Sequence, residues 1–170
     1  MRKKYLTLLS VLIFLCAVDS TAQDLVVEVH RDLEKGSMFS KVGKVEDNGF
    51  VDWGTSVKIA KASNLGVGFD GKKIAILVYG DDAEKETLYC RVGHVDSEAL
   101  SVSWGESELT GIKGRSPSVT IRGNRVILSL RGASKDNMYV ATGVIQSERR
   151  QVVWGKTQIF DVQGQSLDID

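Results

Sequence analysis

The dipeptide Trp-Gly occurs at 53–54, 104–105 and 154–155 and contains every tryptophan of the chain. The strides are 51 and 50 residues, and a second mark keeps the same step. Gly43, Gly93 and Gly143 open "GKVEDNGFVDWG", "GHVDSEALSVSWG" and "GVIQSERRQVVWG". Self-similarity at such a period is the sequence sign of a repeat architecture, in which a unit buries its apolar faces only by stacking on a neighbour. A chain built this way cannot be a doubly wound α/β domain.

The intervals between the marks say which kind of unit repeats. Apolar runs precede each one, "LVVEVH" (25–30), "IAILVY" (74–79) and "RVILSL" (125–130), and others follow, "LGVGF" (65–69), "PSVTI" (117–121) and "SLDI" (166–169). Four runs per unit, rich in Val and Ile and separated by polar turns, read as four strands, and no stretch keeps a helical period. Named A to D from the run after each Trp-Gly, they are A "LGVGF", B "IAILVY", C "LYCRVGHV" and D "LSVSWG". Asp70-Gly71 and Gly123-Asn124 predict two-residue hairpins between A and B, because both central positions need positive φ. The expectation is an all-β chain of three four-stranded antiparallel repeats, approximately 24–72, 73–124 and 125–170.

The first 22 residues carry a different pattern. Arg2, Lys3 and Lys4 precede an apolar run from Leu6 to Val18, which closes on Ser20-Thr21-Ala22. That is the charge, apolar core and small-residue cleavage site of a secretory signal, too short for a membrane span. The expectation is a signal peptide over 1–22, a single repeat domain over 23–170, and a secreted, extracellular protein without a membrane span. Removing Arg2, Lys3 and Lys4 from the 22 basic residues, and Asp19 from the 22 acidic ones, leaves 19 and 21, a net charge of −2. No basic block remains to serve a nucleic-acid partner. Only Cys90 follows the signal, so no disulfide forms within the chain, and "LYCRV" places that thiol in an apolar strand.

The order "PSVTI", "VILSL", "MYVATGV", "VVWG" resembles a blade of the sialidase-like β-propeller class. "VVEVH", "LYCRVGHV" and "WGES" are similar to tandem repeats of predicted secreted proteins. The resemblance implies propeller-like blades. It does not extend to sialidase catalysis: the Asp-box Ser-x-Asp-x-Gly-x-Thr-Trp, the arginine triad and the Tyr-Glu pair have no counterpart here. Three four-stranded repeats also suit a β-trefoil, the alternative fold, although its Gln-x-Trp mark is missing. Counted by label, the strands run from a B to an A. The run at 166–169 therefore needs the first B strand of the same chain, which gives a trefoil, or of a second copy, which gives a six-bladed homodimeric propeller.

Trp53, Trp104 and Trp154 are the candidate ligand-binding residues, as stacking platforms for sugar rings; as packing residues they would bury large indole surfaces between repeats. Tyr79, Tyr89 and Tyr139 admit the same two readings. His30 and His94 stand in different repeats with no ligand set at metal spacing. Asp81-Asp82 and Asp168-x-Asp170 read as solvated loop acids rather than a calcium loop. Glu28 has no carboxylate partner for acid/base work, and no Ser-His-Asp motif or phosphate loop occurs. The reading is a secreted, non-catalytic binding module without cofactor or metal, lectin-like, with a glycan ligand and homo-oligomeric through blade closure. The alternative is a structural or protein-interaction scaffold of the extracellular surface or matrix.

Overall fold

The structure, a computed structural model, describes residues 24–32, 34–62, 64–81, 86–132 and 137–160. The signal segment, Asp82, the run at 166–169 and the Asp168-x-Asp170 pair lie outside them. Thirteen strands appear among the described residues, all paired antiparallel, with one short 3-10 turn at Ser147–Arg149. The first unit holds β1 (Leu25–Arg31), β2 (Ser37–Val45), β3 (Val51–Trp53) and β4 (Val57–Lys61). The second holds β5 (Asn64–Phe69), β6 (Ile74–Gly80), β7 (Thr87–Asp96), β8 (Ser101–Trp104) and the first half of β9 (Glu108–Arg122). The second half of β9 opens the third unit, which continues with β10 (Arg125–Gly132), β11 (Met138–Gln146), β12 (Gln151–Trp154) and β13 (Gln158–Phe160).

Strands B and C pair in each unit at the same register: Val26 faces Gly43, Ala75 faces Gly93, and Val126 faces Gly143. Strand D departs from the sequence reading. It does not stop at Trp-Gly. β3 pairs with the last third of β2, the chain steps away at 54–56, and β4 pairs with the first part of the same strand. β8 and the start of β9 divide β7 in the same way, and β12 and β13 divide β11. Each Trp-Gly glycine holds the step to strand C. The N–H groups of Gly54, Gly105 and Gly155 donate to the carbonyls of Val42, Val92 and Thr142 at 2.8–2.9 Å.

The two predicted hairpins come out differently. Gly123-Asn124 is a two-residue turn between the paired Arg122 and Arg125, with Gly123 at φ 60°, although Asn124 does not share the expected positive φ. Asp70-Gly71 is not. The loop widens to 70–74, because the Asp70 carboxylate accepts three successive backbone N–H groups, those of Lys72, Lys73 and Ile74, at 2.8–2.9 Å. An Asx interaction of this kind competes with the tighter turn.

Period-two alternation then decides the packing: odd and even residues of a strand face opposite neighbours. From β6, Ile76 and Val78 enter a cluster with Val126, Leu128 and Leu130 of the third unit. Ala75, Leu77 and Tyr79 turn the other way, and join two clusters containing Met38 and Val42 of the first unit. The middle sheet is therefore covered on both faces. Among the described residues the first and third sheets each meet another sheet on one face only, and the sheets do not close on themselves. β1 has no strand on its outer edge among those residues.

Cys90 lies within the cluster between the second and third units, 4% exposed. Burial pushes its thiol from 9.0 up to about 12, and the nearby Glu108 carboxylate adds to the rise. The fold thus favours the neutral thiol. Its contribution to stability is complete below pH 9 and is lost as pH climbs from 9 to about 12, where the unfolded chain releases the proton first. Alkylation of the native protein at pH 8 should be slow and become fast in denaturant; fast native labelling would place the thiol outside the core.

Candidate functional site

The recurring Gly of strand C and the recurring Trp of strand D prove to be two halves of one contact. Gly43 pairs with Trp53, Gly93 with Trp104 and Gly143 with Trp154, and each indole lies across its glycine. A methyl group at Gly93 would sit 2.8 Å from two carbons of the Trp104 ring and 2.7 Å from Val102. At Gly43 and Gly143 it would meet the Trp53 ring at 2.7 Å and the Trp154 ring at 3.2 Å. All are inside van der Waals contact, so any larger residue would lift the ring.

With this local geometry shared, what differs is the neighbour. Trp104 is half-buried against both clusters between the first and second units, and its indole N–H donates to Ser40 Oγ of the first unit at 2.9 Å. Trp154 packs on the cluster between the second and third units, which includes Cys90. Trp53 has no preceding sheet among the described residues. It is 39% exposed, and the Lys41 ammonium sits 4.2 Å from its ring centroid. On the same open face His30 stacks on Phe39 at 5.6 Å, and its Nδ1 lies 3.0 Å from the Glu28 carboxylate. The structure thus gives Glu28 a partner, His30, that the sequence reading had not assigned to it.

A cleft of about 350 Å³ opens where the second and third units meet, lined by Trp104, Gly105, Glu106, Glu108, Arg149, Arg150 and Gln151. Its walls come from the Trp-Gly step of the second unit and the C–D hairpin of the third. The step is pinned from below: Arg91 Nη1 donates to the Gly105 carbonyl at 3.0 Å, and its Nε to the Tyr79 hydroxyl at 3.3 Å. That hydroxyl also bonds Ser107 Oγ at 2.7 Å. The hairpin is pinned sideways, with Arg150 Nη1 donating to Ser103 Oγ at 3.1 Å and Gln151 Nε2 to Glu108. Two carboxylates, two guanidinium groups and an amide therefore converge beside Trp104. A larger hollow of about 490 Å³ borders, among the described residues, Gln146, Ser147, Glu148 and Arg149, all on one turn.

Of the sequence candidates, only Trp104 reaches the cleft; Trp53 and Trp154 are elsewhere in the stack. Tyr79 and Tyr89 stack on each other at 5.9 Å, and Tyr139 packs against the cluster between the second and third units. No group of three or more metal-ligating side chains occurs among the described residues. None of their helices is long and apolar enough to cross a membrane. Glu106, Glu108, Arg149, Arg150 and Gln151 carried no signal in the sequence, because they follow Trp-Gly or end a hairpin in different repeats and meet only across a unit boundary. No known protein family, curated protein or solved structure matches this chain.

Proposed function

We propose that the chain is a secreted, non-catalytic binding module of propeller-like units, and that it takes carbohydrate in the cleft between its second and third units. The observation that carries this reading is the composition of the cleft. Glu106 and Glu108 offer acceptors, and Arg149, Arg150 and Gln151 offer donors, beside Trp104, whose indole is turned to the first unit. A sugar presents hydroxyls that both donate and accept, and so matches a cleft that offers both acceptors and donors. The volume lies at the small end of ligand sites and suits one or two sugar rings. Face-to-face stacking of successive meander sheets supports the propeller-like reading of the units.

A glycan array tests this. The parent should bind a defined set of glycans, and Glu106→Ala with Arg149→Ala should weaken binding tenfold or more, since hydrogen bonds to charged groups contribute about 1.5–3 kcal/mol each. Both side chains are exposed, so the fold is not at stake. Silence across diverse glycans would sink the lectin-like reading. It would leave the structural or protein-interaction scaffold, which one observation favours: no other sheet among the described residues covers the outer face of the first, which presents Trp53, Phe39 and His30.

A further inference from the structure

Two contacts recur where one unit meets the next. In the first, the Trp of the later unit rides on strand C of the earlier one: Trp104 on Ser40, and Trp154 on the cluster that holds Cys90. In the second, the Trp-Gly glycine of the earlier unit receives the left-handed residue of the later unit's C–D hairpin. A methyl group at Gly54 would run into the Leu100 carbonyl and side chain, and one at Gly105 would sit 3.0 Å from Arg150 Cβ. Leu100 and Arg150 have φ of 45° and 54°, and the equivalent residue of the first unit is Gly49, at 81°.

Each contact has one half left over at each end of the stack. At the first unit these are Trp53 and Gly49, and a side chain at Gly49 would meet open space. At the third unit they are Val140, which stands where Ser40 and Cys90 stand in the other two, and Gly155, whose only close neighbour among the described residues is Thr142 of its own sheet. Val144, on the same side of β11 as Val140, is 40% exposed, and Val153 of β12 is 52% exposed.

We propose that a second copy of this chain docks head to tail, its Trp53 on Val140 and its Gly49 against Gly155, repeating the contact made twice within the chain. The two copies then close a ring of six units. The argument is continuity: the surfaces that need covering are the two halves of an interface the chain already makes, and one molecule carries both. A heterologous contact of this kind ends only by closing, and six units fall within the 4–8 blades of known propellers. The open face of the first unit carries Glu28, His30 and Lys41 beside its aromatics, so the contact is reversible rather than obligate. The inference rests on the scaffold reading of the end faces and not on the carbohydrate cleft.

Light scattering on the secreted full-length product should give twice the chain mass. Trp53→Ala and Val144→Arg should each weaken association at least tenfold and give single chains. An equimolar mixture of the two variants should recover a two-chain species, because the intact tail of one meets the intact head of the other. Matching far-UV spectra and melting in dilute solution show that the variants are folded, and Gly155→Arg repeats the tail-side test at a second residue. A single-chain parent, an association that survives either substitution, or a mixture that stays single-chain would overturn the proposal. Loss with Trp53→Ala alone would overturn it too, in favour of a symmetric head-to-head pair. In that last case the end face remains an interaction surface and only the partner's orientation falls, whereas a single-chain parent that also binds no other protein removes the scaffold reading itself.

Discussion

Trp104→Ala should destabilise the protein by about 3–5 kcal/mol, the range for truncating a large buried aromatic, whereas Trp53→Ala should cost about 1 kcal/mol or less. The two residues occupy the same place in the repeat and lie across the same glycine. Trp104, however, also fills the space between two sheets and donates to Ser40, so its removal leaves a cavity and an unpaired buried hydroxyl. Trp53 gives up only partial burial and the Lys41 contact. Against a total stability of about 5–15 kcal/mol, the first change leaves the domain marginal. Denaturant melts of dilute protein, where each chain is alone, supply the comparison. Equal costs at the two sites would mean that the stacking of units contributes nothing to the role of the indole.

Gly54→Ala should cost about 1–3 kcal/mol, near the upper end of that range for overpacking, and Gly155→Ala within about 0.5 kcal/mol of nothing in dilute protein. The added methyl at Gly54 would collide with a backbone carbonyl, that of Leu100, which can yield only by moving the hairpin of the next unit. At Gly155 the nearest atom is the Thr142 carbonyl at 3.2 Å. Thermal melts of the two variants beside the parent give the answer directly. If Gly155→Ala costs as much as Gly54→Ala, the glycine serves the step within its own sheet and not the approach of the neighbour.

Strands B and C were legible because they are runs rich in Val and Ile bounded by polar turns, and β6, covered on both faces, is apolar almost throughout. The resumption of strand D after Trp-Gly was not. "VKIAK" and "ELTGIKG" carry charges or glycines, "QIF" is only three residues long and exposed throughout, and all three lie at a sheet edge where little burial enforces a pattern. One signal was available: C runs to nine or ten residues while D before Trp-Gly spans four or fewer, so half of C needed another partner. The roles of the three tryptophans were illegible for a different reason. Their local sequences agree, and what separates Trp53 from Trp104 is the sheet in front of it, which no window of sequence contains. Nor could adjacency in sequence have assembled the cleft residues, because Glu106 comes from the Trp-Gly step of one unit and Arg149 from the C–D hairpin of the next. The Asp70-Gly71 turn failed on chemistry: the dipeptide signals a tight hairpin, but the same aspartate can bind three N–H groups and widen it.

β9 shows that the repeat along the chain and the sheet in space are out of phase. Its first half completes the second sheet and its second half opens the third, the pairing passing from Lys113 with Thr87 to Gly114 with Gly132. Ser116 at φ 51° and Pro117, the only proline, follow at the irregularity in the third sheet's ladder. β4 and β5 stand in the same relation, only two residues apart. A cut at Trp-Gly, where the sequence period is most visible, would therefore strip strands from the sheet it meant to isolate. The modular boundary lies instead where D passes into A, so gain or loss of a unit by recombination would leave an intact sheet only when the exchange keeps that phase.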